Sequence, residues 1–124
     1  KEKKVKKTVT VADPNLQSDY AVYFDQKSRN YETNMDYNRM FLKAQQQFAN
    51  DKLQTRGHIF LNEVLDDLDL PRSPAGQIVG WTADGPDGYV NFRILEVERE
   101  TEDGRHEPAL LLDFNVQGDI WSQM

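Results

Sequence analysis

The sequence predicts an α+β fold: an antiparallel sheet of about four strands, ending in a long hairpin, packed against one long helix and two short ones. Three features carry this expectation. Residues 35–55 contain neither Gly nor Pro and are rich in helix formers. Two runs, 89–98 and 109–116, alternate apolar and polar side chains on either side of a loop holding Asp103-Gly104. Ahead of the helix, Tyr20-Ala21-Val22-Tyr23-Phe24 is dense in strand-forming residues.

The chain starts at Lys1 and not at a methionine, as expected of a processed chain or a piece of a longer one. Lys1, Lys3, Lys4, Lys6 and Lys7 make the start basic, whereas the 117 residues that follow carry 10 basic and 20 acidic side chains. This segment reads as a solvated tail or the end of a charged linker. Val9 and Val11 alternate with Thr8 and Thr10 as an extended arm, ended by the turn Asp13-Pro14-Asn15. Residues 1–17 are therefore linker and arm, and 18–124 form a single domain.

Within that domain, Asn30-Tyr31-Glu32-Thr33 is expected to return as the hairpin partner of residues 20–24. Asn34 suits the N-cap of the long helix and Gly57 its stop, which makes the helix about 30 Å long. Tyr37, Phe41, Ala44 and Phe48 follow the 4, 3, 4 spacing of a buried face. Met35, Leu42, Ala49 and Leu53 form a second stripe on another side. A helix apolar on two sides is sandwiched between elements or pairs with another chain, and further helices are at hand to cover the second stripe. His58-Ile59-Phe60 reads as a short extended link. Asn62 is expected to cap a helix carrying Leu61, Val64, Leu65 and Leu68, stopped by Pro71. Ser73-Pro74 opens a second short helix reaching about Val79, with Ile78, Val79 and Trp81 assigned to the core. Asp84-Gly85-Pro86-Asp87-Gly88 is turn chemistry, and the two alternating runs complete the hairpin.

Composition excludes several functions. The formal charge of −6 argues against broad adhesion to nucleic acid, and the absence of cysteine removes disulfides, thiol nucleophiles and thiolate metal sites. No apolar run approaches the roughly 20 residues of a membrane span. The sequence contains no H-E-x-x-H, G-x-S-x-G, G-x-G-x-x-G or G-x-x-x-x-G-K pattern. His58 and His106 are the only histidines. Asp66, Asp67, Asp69, Asp84 and Asp87 lie close in sequence, but adjacent helical carboxylates diverge and turns commonly hold aspartate. A carboxylate-based hydrolase or cation-dependent enzyme using these groups with His58 is the alternative reading. Nucleic-acid binding through the basic tail or the two short helices comes third, since Gln77 is the only plausible base reader there.

Two stretches carry a resemblance: Leu61-Asn62-Glu63-Val64-Leu65-Asp66-Asp67-Leu68-Asp69-Leu70-Pro71 with Ala75-Gly76-Gln77-Ile78-Val79-Gly80-Trp81, and Leu111-Leu112-Asp113-Phe114-Asn115-Val116. Together they resemble the C-terminal soluble domain of an uncharacterised phage and prophage family of Gram-positive gut bacteria, over about residues 20–116. The resemblance implies a parent with membrane-embedded N-terminal segments, absent from this chain, and a Lys/Glu-rich linker whose remnant is the lysine-rich start. It implies residence in the host cytoplasm or at the cytoplasmic face of the host membrane. It supplies no catalytic residues.

The expected function is thus a non-enzymatic interaction module, with no catalytic, cofactor or metal-binding residue assigned and a protein as partner. Homo-oligomerisation through the long helix is a further expectation. The interface candidates are the aromatics Tyr23, Tyr31 and Tyr89 near the hairpins, with Leu42 and Leu53 if the second helical stripe is open.

Overall fold

A computed structural model describes residues 20–25, 27–100 and 103–123. The α+β class is as the sequence predicts, but the strands divide into two three-stranded antiparallel sheets. The first is ordered β1 (Val22–Phe24), β5 (His106–Leu112), β4 (Ile94–Glu100). The second is ordered β2 (His58–Phe60), β3 (Val79–Thr82), β6 (Gly118–Asp119). Helix α1 (Met35–Arg56) joins them, and α2 (Leu61–Asp67) follows β2 directly. The arm expected at residues 8–11, its turn and the lysine-rich start lie outside the described residues.

α1 begins and ends where its residues require. The Asn34 side chain accepts from the Asp36 and Tyr37 amides at 2.9 and 3.2 Å. Gly57 closes the helix in the left-handed region at φ 88°, its N–H donating to the Leu53 carbonyl. The second short helix is reduced to a single 3-10 turn, Ala75–Gln77, opened by the Ser73 hydroxyl accepting from the Gly76 amide at 3.0 Å. Val79 and Trp81, buried as expected, belong to β3, whereas Ile78 is largely exposed. Asn62 is not a cap: it lies inside α2, where its amide pairs with the Ser73 backbone at 2.9 and 3.0 Å and fixes the turn. The cap position belongs to Phe60, whose N–H donates to the Glu63 carboxylate at 3.0 Å.

Two strand pairings differ from expectation. The predicted partner of β1, residues 30–33, forms no strand. β1 instead pairs with β5, Phe24 opposite Leu110. Residues 30–33 meet β1 through the Tyr31 ring and not through a backbone ladder, because their backbone is used elsewhere: Glu32 exchanges two hydrogen bonds with the Asn38 side chain, at 2.9 and 2.8 Å. The terminal hairpin forms, Ile94 opposite Leu112 through Glu100 opposite His106, but its ladder is displaced toward the loop. Arg93 interrupts it with a left-handed φ of 48°, a conformation uncommon for a non-glycine residue.

One core collects both sheets and α1: Phe24, Leu110 and Leu112 from the first sheet, Ile59, Val79 and Trp81 from the second, and Leu42, Ala49 and Leu53 from the helix. Val97, Ala109 and Leu111 form a smaller cluster with Ala21 and Tyr23 on the other face of the first sheet.

An ion pair ties the end of α1 to the start of α2, Arg56 clasping Glu63 at 2.7 and 2.8 Å. Burial acts to raise the Glu63 pKa, but the Arg56 fork and the Phe60 N–H outweigh it and hold the carboxyl below its ordinary value. A depressed folded-state pKa stabilises the protein above the unfolded glutamate value, about 4.3. That contribution is lost as pH falls through the lower folded value. Glu63→Gln is expected to cost about 1 kcal/mol at neutral pH. It should also reduce the loss of stability on acidification below about pH 4, as followed by urea titration at several pH values.

Candidate functional site

The five expected interface residues do not converge. Tyr23 and Phe24 alternate across β1, so Tyr23 joins the outer cluster under the Arg99 guanidinium, 4.1 Å from its ring centre. Tyr31 packs on Phe24 on the opposite side, with ring centres 5.7 Å apart, and donates its hydroxyl to the Pro108 carbonyl at 3.1 Å. Burial first, then the charges of Asp25, Glu107 and Glu96, raise the Tyr31 pKa. Tyr89 is 48% exposed. The condition placed on Leu42 and Leu53 is not met: both are completely buried, so neither presents a surface.

The open stripe of α1 is the other one. Tyr37 is 47%, Met40 70% and Phe48 48% exposed, Ala44 is exposed between them, and Phe41 is half-buried. The helix is therefore covered on its leucine side and open on its aromatic side, whereas the sequence leads one to expect the aromatic stripe buried and the second stripe covered too, or paired with another chain.

Side-chain amides hold that orientation. Gln46, Asn50 and Gln54 recur every four residues on one side of α1 and serve the backbone of residues 88–92, which has no strand partner there. The Gln46 carbonyl oxygen accepts from the Phe92 amide at 2.7 Å. Asn50 accepts from the Val90 amide at 2.7 Å and donates to its carbonyl at 3.0 Å. Gln54 donates to the Gly88 carbonyl at 3.2 Å. These amides do for the extended segment what a neighbouring strand would do.

Asn115 grips the other side of the same segment. Its Oδ1 accepts from Trp81 Nε1 at 2.8 Å and from the Asn91 amide at 2.7 Å. Its Nδ2 donates to Asp87 at 2.8 Å and to the Tyr89 carbonyl at 3.1 Å. A cleft of about 220 Å³ opens beside this network, with Trp81, Asp87, Arg93, Phe114 and Gln117 in its lining. Ion pairs add to the fixing of α1, from Lys52 to Asp67 at 2.7 Å and from Arg39 to Glu96.

The carboxylates considered for chemistry are dispersed among separate partners. Asp66 pairs with Arg72, Asp67 with Lys52 and Asp69 with Arg29, while Asp87 accepts from Asn115. The Arg72 hydrogen bonds hold the Asp66 pKa below its ordinary value. His58 stands beside the Phe60 ring, centres 5.5 Å apart. Among the described residues, no three His, Cys, Asp or Glu side chains are grouped to hold a metal ion. No helix among them is long and apolar enough to cross a membrane.

A signal for the helix orientation was present in the sequence. Asp51 borders the aromatic stripe, about 20° from Ala44 around the helix, and a charge there resists burial. Asn38, Gln46 and Asn50 border the leucine stripe, and amides can be buried when backbone partners are supplied.

Fold and surface together define a small α+β domain that presents one amphipathic helix, its outer face lined with aromatic and methionine side chains. The chain belongs to the Family of unknown function (DUF6353), whose model matches residues 1–124. No curated protein and no solved structure matches it.

Proposed function

We propose that this domain is a non-enzymatic interaction module whose contact surface is the outward stripe of α1. One observation carries the reading: Tyr37, Met40 and Phe48 stand open along a single helix face that the rest of the fold holds in place. Aromatic residues and methionine are enriched at protein interfaces, and an amphipathic helix face is a common recognition element. The partner is a protein. The resemblance of residues 20–116 supports a setting in a phage or prophage protein, held at the cytoplasmic side of a host membrane through N-terminal segments of a longer parent.

The test replaces Tyr37, Met40 and Phe48 with glutamine together. Of the three, Phe48 gives up a cation–π interaction, Lys52 Nζ lying 4.6 Å from its ring centre. Tyr37 and Phe48 are also each about half-covered, so a loss of about 2–4 kcal/mol is expected, and the variant is used only where its circular dichroism shows it folded. Quantitative co-purification of the tagged full-length parent from its native cells should then show partners that this variant fails to hold and that Tyr89→Ser keeps. Retention of every partner by the triple variant would remove the stripe from the proposal.

A further inference from the structure

We infer that the cleft beside Asn115 binds a small zwitterion of the amino-acid type, its carboxylate held by Arg93 and its ammonium by Asp87. The site is separate from the helix face proposed as a protein contact, and neither reading depends on the other. Arg93 is held in the left-handed region at φ 48°, which arginine seldom occupies. Asp69 shares that region at φ 60°, but it follows the C-cap of α2, where a left-handed residue commonly closes a helix. Arg93 closes no helix. Its N–H donates to Asn91 Oδ1 at 2.9 Å, and the Asn91 N–H donates in turn to Asn115 Oδ1 at 2.7 Å. Backbone outliers fixed in this way cluster at ligand-binding sites.

The guanidinium so placed has no carboxylate. Each of the other six arginines pairs with one. Arg93 pairs with none among the described residues, although acidic side chains outnumber basic ones in the chain. Asp87 lines the same cleft, yet the two charges do not neutralise each other. Asp87 Oδ2 accepts from Asn115 Nδ2 at 2.8 Å, and its other oxygen accepts from no described residue.

One small cleft therefore presents a cation and an anion that stand apart. A simple anion reaching Arg93 is repelled by Asp87, and a simple cation reaching Asp87 is repelled by Arg93. A ligand carrying both charges is favoured at both ends, with the guanidinium suited to take a carboxylate through two parallel hydrogen bonds. The volume of about 220 Å³, roughly that of seven water molecules, suits a free amino acid and not a large cofactor. Pro86 and Val116 in the lining offer apolar contact to a short side chain.

L-Valine is the probe, titrated into the isotope-labelled full chain at neutral pH. The Arg93 Nε–H, the Asn115 side-chain amide and the Trp81 indole N–H that donates to Asn115 should show saturating resonance shifts, half complete at roughly 1–10 mM. Isovalerate and isobutylamine, which each lack one of the two charges, should bind at least about tenfold more weakly. Arg93→Gly removes the guanidinium and suits the backbone, so it should abolish the shifts and leave the thermal midpoint within about 3 °C. Asp87→Asn keeps an acceptor for Asn115. It should weaken L-valine at least about tenfold while leaving isovalerate no weaker, and it decides by itself where Arg93→Gly does not fold. No saturation up to about 50 mM, isovalerate bound as tightly as L-valine, or L-valine binding unchanged in either variant would each overturn the inference.

Discussion

Asn115→Ala is expected to destabilise the domain by about 3–5 kcal/mol, because a single buried side chain satisfies groups from two other segments, β3 and residues 87–91. Only 5% of Asn115 is exposed. Without it, Trp81 Nε1–H and the Asn91 N–H lose their acceptor and the Tyr89 carbonyl loses a donor. Leaving one buried polar group unsatisfied costs about 1–3 kcal/mol, and relaxation or entering water keeps three such penalties from adding fully. Urea denaturation gives the magnitude, and the Trp81 indole N–H resonance should shift as its hydrogen bond disappears. Asn115→Asp separates the two halves of the network. It keeps an acceptor for Trp81 and Asn91 but turns a carboxylate toward Asp87 and the Tyr89 carbonyl. Its penalty should ease as pH falls and the new carboxyl takes up the proton that it can then donate. A cost below about 1 kcal/mol for Asn115→Ala would mean that residues 87–93 are held by something other than this amide.

Gly80→Ala is expected to cost about 3 kcal/mol or more, or to prevent folding, for a reason of space. A Cβ at this position would lie 2.1 Å from the Ile59 carbonyl oxygen and 2.8 Å from the Phe60 Cα. Both are backbone atoms of β2, so no side-chain rotation relieves the overlap; the central strand of the second sheet would have to separate from its neighbour. Gly57→Ala provides the contrast. A Cβ there meets nothing within 4 Å, and the penalty comes from the left-handed φ of 88°, worth about 1 kcal/mol. Thermal unfolding of the two variants side by side checks the difference. Equal, small effects would show that β2 and β3 are not as closely apposed as described.

Some of the fold was legible because it depends on neighbours in sequence. α1 from Met35 to Arg56, its Asn34 cap and its Gly57 stop follow from propensity and capping chemistry within a few residues. The terminal hairpin follows from alternation on both sides of Asp103-Gly104, and the inward faces of Phe92, Leu110, Leu112 and Phe114 follow from its period. The candidate surface was less legible. Tyr89 is open as expected, and Leu42 and Leu53 share a stripe as expected, but that stripe is covered, so the condition on which they would form an interface is not met; the aromatic stripe expected to be buried is the open one.

The sequence by itself determined which residues share a face and where the principal helix starts and stops, because both depend on repeats and caps a few residues long. Only the tertiary structure decided which face of α1 turned inward, which strand took β1, and where the hairpin ladder ended. Those outcomes rest on partners far along the chain: Gln46, Asn50 and Gln54 lie 34 to 46 residues from the backbone groups they satisfy. A periodic pattern fixes the relation of side chains to their own helix. The pairing of buried polar groups across such distances fixes the relation of the helix to everything else.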